Sequence, residues 1–269
     1  MKYYAYAKIN IMLYVEGKLE SGYHNLKMVN AKVSLADELE ITLSDNNTVE
    51  YSVEELNQLE NNLCLNVLNE LTSLYNIKER YHIYIKKNIP LGAGLGGGSS
   101  DVAAIINFIN EQHSLNLTID EKINIGVKYG ADVPYCLINE LAYVEGIGEK
   151  VTTLNYNLNK DIVLVYPNIF ISTKEVFNYV ENYNIAPSIE EVSNMLANDF
   201  TSILHNDLET ATFKINSKLR KIKESLQEFG DVVMSGSGST MIIFINDLKS
   251  INTLIEKHPN YLVISTKIL

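Results

Sequence analysis

The chain has no tryptophan and only two cysteines, Cys64 and Cys136. Those cysteines show none of the spacings of a zinc site or a dithiol redox motif. They read as small buried apolar side chains in a reducing compartment. No hydrophobic run approaches the length of a membrane span. The apolar start is broken by Lys8 and Asn10, so no secretory signal is expected. Positive charge is scarce: 22 Lys and Arg stand against 33 Asp and Glu, a net charge of −11. That balance argues against a general nucleic-acid binder, whose footprint should be basic. It leaves room for a small anionic substrate, which needs only local positive groups. No internal repeat or low-complexity tail occurs. The expectation is a soluble cytoplasmic protein with no nucleic-acid or membrane partner.

What the chain does have is glycine in one place. Five of its 14 glycines fall within Pro90-Leu91-Gly92-Ala93-Gly94-Leu95-Gly96-Gly97-Gly98-Ser99-Ser100-Asp101. Upstream, residues 81–86 alternate like a strand, and downstream residues 102–108 are apolar and helix-like. Glycines between a strand and a helix let backbone N–H groups crowd around an anion, and the helix dipole adds to the field. Ser99 and Ser100 sit where N-caps belong, with Asp101 in the first turn. A flexible linker is not usually wedged between a strand and a capped helix. A Walker A loop needs a lysine after its glycines, and none follows. Gly92, Gly94 and Gly97 fit G-x-G-x-x-G. A dinucleotide fold should then return to a parallel strand, whereas residues 119–129 look like a second helix. The stretch therefore reads as a phosphate-binding loop of another kind.

The rest of the chain mixes helices and strands, and its 269 residues, 46% of them hydrophobic, suffice for one large domain or two ordinary ones. Strands are expected over residues 2–15, 38–43, 142–144, 149–153, 162–166, 231–234, 241–245 and 261–264. A turn is expected at Ala36-Asp37 and a short edge strand near Tyr51 and Val53. Helices are expected over residues 62–75, 119–129, 173–183, 189–196, 200–204, 213–229 and 251–257. Thr118 with Glu121, and Ser172 with Glu175, have capping-box spacing. A polar stretch at residues 155–160 marks the domain boundary, giving domains 1–155 and 156–269. In the first strand Lys8 and Asn10 face the same way, about 7 Å apart. Lys8 is either an edge lysine or one held in a cleft to act on an anion. Tyr23-His24 follows a glycine turn and is either a surface pair or a platform for a heterocycle. Asp132, between apolar residues and before Pro134 in what reads as a strand, is either a turn aspartate or a buried carboxylate.

Three stretches resemble the motifs of the GHMP small-molecule kinases: Ala7-Lys8-Ile9-Asn10, the glycine stretch 90–101, and Ser235-Gly236-Ser237-Gly238. Further likeness lies in Gly22-Tyr23-His24, Gly130-Ala131-Asp132-Val133-Pro134, Glu145-Gly146-Ile147-Gly148-Glu149 and Asn206-Asp207-Leu208-Glu209. The matches span nearly the whole chain in order. Departures are Val102 after the loop aspartate, the polar or small Asn30, Ala31 and Lys32, and the lack of a tryptophan in residues 111–117. The resemblance implies an α+β, two-domain fold. An N-terminal α/β domain would hold the phosphate loop, the C-terminal α+β domain would be ferredoxin-like, and the active site would lie between them. It implies ATP-dependent phosphorylation of the 2-hydroxyl of a cytidine diphosphate-linked methylerythritol in non-mevalonate isoprenoid synthesis. A homoserine- or mevalonate-type kinase, or a non-catalytic ATP-binding relative, is the alternative. Lys8 and Asp132 would be the catalytic pair, and residues Pro90 to Ser100 would bind ATP. Tyr23 and Phe177 would sandwich the cytosine, and His24 would bond its edge. Asn10 and Thr173 would contact the rest of the substrate. ATP would bring Mg2+, with the hydroxyl of Ser99 or Ser100 facing the metal. The assembly would be a monomer or homodimer.

Overall fold

The computed structural model describes residues 1–269. In order, the chain forms β1 (Lys2–Lys18), β2 (His24–Ser44), β3 (Thr48–Tyr51), α1 (Glu54–Asn57), α2 (Leu63–Leu74) and β4 (Arg80–Lys86). Then come α3 (Gly97–Gln112), α4 (Ile119–Gly126), α5 (Val133–Ile138), β5 (Ala142–Gly146), β6 (Lys150–Thr153), β7 (Asp161–Tyr166) and α6 (Thr173–Asn178). Next are α7 (Ile189–Asn198), β8 (His205–Asn206), α8 (Leu208–Ile215) and α9 (Lys218–Leu226). Finally come β9 (Gly230–Met234), β10 (Met241–Ile245), α10 (Ile251–Lys257) and β11 (Leu262–Lys267). The chain divides into two compact units interleaved in sequence. One is Met1–Ala7, Leu35–Pro90 and Gly96–Asn139; the other is Lys8–Ser34, Leu91–Leu95 and Glu140–Leu269.

In the first unit β3 runs parallel to β4, and β4 pairs antiparallel with the second half of β2. The start of β1 lies alongside, with Ile41 N donating to Met1 O at 2.9 Å. Tyr81, Ile83 and Ile85 are buried while His82 and Tyr84 between them are half-exposed, the two-residue period of a one-sided sheet. Helices α2 and α3 pack together. They bury Val67, Leu68, Leu71, Ile105, Ile106 and Ile109, each contributing about 1.5–3 kcal/mol of transfer free energy. Phe108 takes Tyr3 and Tyr81 edge-on, at centroid distances of 5.4 and 5.0 Å.

In the second unit Leu26 to Asn30 of β2 pair antiparallel with β5, and β5 with β6. Met12 and Leu13 of β1 pair with β8 in parallel. A separate four-stranded antiparallel sheet has the order β11-β7-β10-β9, with α9 against β9. Its β7 and β10 are near-continuous apolar runs, Ile162 to Val165 and Met241 to Phe244, all buried.

Five expectations about elements are corrected. No turn interrupts β2 at Ala36-Asp37, because the Asp37 carboxylate finds its partners beyond the end of β4 rather than in its own backbone. Residues after Asp132 form helix α5 rather than a strand, and Pro134 fits because a first helical turn needs no proline N–H. Residues 200–203 make a 3₁₀ turn, not an α-helix. Helix α6 stops at Asn178 rather than near residue 183. The chain beyond it is tied down where Asn184 N donates to Val15 O and Asn184 Nδ2 to Asp207. The long helix over 213–229 is two helices, broken where extended Asn216 turns its Oδ1 to Lys218 N.

Candidate active site

Within the second unit three of the singled-out motifs meet. Lys8 N donates to Leu95 O at 3.0 Å. The Ser235 hydroxyl donates to Gly94 O at 3.0 Å and accepts from Asn10 N at 3.3 Å. Gly94 has φ +77°, and a Cβ there would lie 2.5 Å from Ser235 O and 3.0 Å from Gly238 O, so only glycine fits. Asn206, from the Asn-Asp-Leu-Glu stretch, holds the serine-glycine turn by donating to Met234 O and Gly236 O at 2.7 and 2.8 Å. The strand bearing Lys8 and Asn10, the middle of the glycine loop and the serine-glycine turn are thus one hydrogen-bonded assembly.

Lys8 is 4% exposed and Asn10 1%. The Lys8 ammonium donates to Asn10 Oδ1 at 2.9 Å, so the two side chains that share a face in sequence are bonded. Asn10 Nδ2 donates onward to Asn30 Oδ1 at 2.7 Å. Asn30 is not among the site residues that the resemblance implies. The signal was visible: an amide in a strand whose neighbours Met28, Val29 and Ala31 are apolar.

The first unit holds the other half of the loop. Gly96 is left-handed, with φ 69°, and caps α3, which starts at Gly97. Ser99 and Ser100 therefore lie inside the first turns and are not N-caps. The glycines let the helix begin early, and a Cβ on Gly97 would come within 3.1 Å of the Ile89 side chain. The Ser100 hydroxyl is committed, donating to Tyr6 O at 2.7 Å with Cys136 Sγ at 3.3 Å. The Ser99 hydroxyl is half-buried and carries no hydrogen bond. Asp101 lies past the first turn of α3 rather than in it. It is 1% exposed and accepts from Lys87 Nζ at 2.5 Å. Asp132, at the N-cap position of α5, is half-exposed rather than buried and makes no side-chain cap.

The proposed base platform is also in the second unit. His24 is buried and stacks on Phe177, with centroids 4.9 Å apart at 21°, and Tyr183 lies 6.3 Å from His24. Burial, then the charge of Lys18, pushes the His24 imidazole below its ordinary value and so favours the neutral ring. Tyr23 is 62% exposed, with its ring open to a ligand. Thr173 Oγ1 shares a hydrogen bond of 2.8 Å with Ser237 Oγ, joining the start of α6 to the serine-glycine turn.

Residues 62–140 match the family of GHMP kinases N terminal domains, and residues 185–264 the family GHMP kinases C terminal. A 4-diphosphocytidyl-2-C-methyl-D-erythritol kinase of Clostridium tetani is 39% identical over 254 residues, 91% of this chain and 90% of the relative. One from Clostridium botulinum is 38% identical, with 94% of each chain covered. The crystal structure of a 4-(cytidine 5'-diphospho)-2C-methyl-D-erythritol kinase is similar at TM-score 0.86 and 25% identity, over 100% of this chain and 99% of that one. A homoserine kinase from Cytophaga hutchinsonii shares the fold at TM-score 0.71 and 18% identity, covering 97% and 95%.

Proposed function

The chain belongs to the GHMP kinases, in their 4-diphosphocytidyl-2-C-methyl-D-erythritol kinase branch, and from this we infer that it moves the terminal phosphoryl group of ATP to the 2-hydroxyl of that cytidyl alcohol. It is an ATP-dependent kinase of non-mevalonate isoprenoid synthesis. The observation that carries the reading is identity of 39% over 254 residues to a kinase of that name. It is supported by the bonded assembly of Lys8, Asn10, Gly94 and Ser235.

Phosphoryl transfer demands positioning and charge stabilisation more than covalent chemistry. We assign Asp132 to take the proton of the attacking hydroxyl, and Lys8 to stabilise charge on the transferring group. Residues Pro90 to Ser100 would bind ATP, with backbone N–H groups of Leu91 to Ser99 around the phosphates, helped by the N-terminus of the 16-residue helix α3. Tyr23 and Phe177 would sandwich the cytosine, with neutral His24 bonding its edge. Its buried ring, already stacked on Phe177, suits that role. Asn10 and Thr173 would meet the remainder of the substrate.

Magnesium would accompany ATP. No group of three or more His, Cys, Asp or Glu side chains could hold a metal, so the phosphates would supply most ligands. Ser99 fits as the protein's ligand because its hydroxyl is uncommitted, and Ser100 does not. The ion, when bound, offsets phosphate charge. The division of labour into an ATP-binding domain 1–155 and a second domain 156–269 remains our proposal. It is supported by the two family matches ending at residue 140 and beginning at residue 185.

Changing Asp132 to Asn tests the assignment. Turnover of the cytidyl alcohol should fall about a hundredfold to ten-thousandfold while both KM values stay near the parent's. Undiminished turnover in the folded variant removes Asp132 from the mechanism.

A further inference from the structure

We propose that Asn30 is a positioning residue for phosphoryl transfer, acting on Lys8 through Asn10. The inference rests on reading Lys8 as catalytic. Lys8, Asn10 and Asn30 are 4%, 1% and 0% exposed, so each polar atom there must find its partner within the protein or a ligand.

The polarity of the chain of bonds is dictated from one end. An ammonium can only donate. Asn10 must therefore present its carbonyl oxygen to Lys8, at 2.9 Å, and its amide nitrogen faces the other way. That nitrogen needs an acceptor. Asn30 Oδ1 supplies one at 2.7 Å. The remaining neighbour of Asn10 Nδ2 is the Met28 thioether at 3.3 Å, a weak acceptor. With an apolar side chain at position 30, Asn10 Nδ2 would keep only that weak acceptor, and the amide would tilt to reach a stronger one, loosening its hold on the Lys8 ammonium.

Asn30 makes this bond at a cost. Its own Nδ2 is buried without a partner. A buried amide nitrogen left unpaired is destabilising, so core packing alone does not favour an amide at this position. A residue that worsens the core while fixing the orientation of the group beside Lys8 is serving the site.

The test is steady-state kinetics on Asn30→Leu, with Asn30→Ala as a second variant that adds no bulk, each checked by thermal unfolding. The expected result is a kcat lowered about ten- to a hundredfold and KM values for ATP and the cytidyl alcohol within about threefold of the parent in both variants, with thermal stability near the parent's in Asn30→Leu and lower in Asn30→Ala, which leaves a cavity. In an Asn10→Ala background the substitution at 30 should have no further effect on kcat, since its route to Lys8 is already cut. Parent-like kcat in either folded variant, or full additivity with Asn10→Ala, overturns the proposal. Lack of phosphoryl transfer by the parent protein itself would instead overturn the activity on which it rests.

Discussion

Gly94 shows how little freedom a single position in the site has. Its backbone is left-handed, and the carbonyls of Ser235 and Gly238 fill the space a side chain would need. Gly94→Ala would meet backbone rather than a movable side-chain tip. It should destabilise the protein by about 1–3 kcal/mol from the forced conformation alone, read as a lower denaturant midpoint. It should also weaken ATP binding, because the Ser235 bond to Gly94 O is displaced with it. A parent-like midpoint would mean that the loop is not held as described. At this scale the sequence shows which residues share a face of an element but not the partners they find. The shared face of Lys8 and Asn10 follows from strand period, and their bond confirms it. The roles given to Ser99 and Ser100 as caps did not hold, because left-handed Gly96 starts the helix first. Asn30 stands out in the sequence only as a departure from the family pattern, since nothing there shows that it lies opposite Asn10.

Among the elements, the flanks of the glycine loop are tied by a buried charge cluster. Lys87 Nζ lies 2.5 Å from both Asp37 and Asp101, and Asp37 Oδ1 also accepts from Asn88 N and Ile89 N at 2.6 and 2.8 Å. Strand β2, the end of β4 and helix α3 are thereby joined just before and just after the loop. Two carboxylates share one ammonium. Burial pushes the Asp101 carboxyl up to about 8, against the pull of Lys87 and with the push of the Asp37 charge. An unfolded aspartate titrates near pH 4, so between about pH 4 and 8 the folded state holds a proton that the unfolded chain lacks. The contribution of Asp101 to stability is therefore full below about pH 4 and is lost as pH rises through about 8. Urea unfolding between about pH 5 and 8 should show stability falling more steeply in the parent than in Asp101→Asn, by up to about 1.4 kcal/mol per pH unit. Equal slopes would contradict this. The elements themselves were largely legible, because period-two strands such as β4 and capped helices such as α4 announce themselves. The charge cluster was not. It forms only when residues far apart in sequence close around Lys87, which is why Asp37 read as a turn residue.

For the molecule as a whole, a net charge of −11 sits beside an anionic nucleotide and an anionic alcohol. The proposed site would concentrate positive potential at Lys8, at loop N–H groups and at a helix N-terminus. No helix is long and apolar enough to cross a membrane. The order of motifs along the chain points to its family without coordinates, because Lys8, the glycine loop and Ser235 together span the sequence. What the order could not give was the interleaving of the two compact units, which depends on strands β1 and β2 each contributing to both. The most direct measurement is ATP-dependent phosphorylation by the purified protein of the cytidine diphosphate-linked methylerythritol, set against homoserine and mevalonate. The cytidyl alcohol should be preferred by about a thousandfold or more in kcat/KM, since a site built to hydrogen-bond and stack a base rejects substrates lacking it. Equal or faster phosphorylation of homoserine or mevalonate, or no transfer to any of the three, would contradict the account.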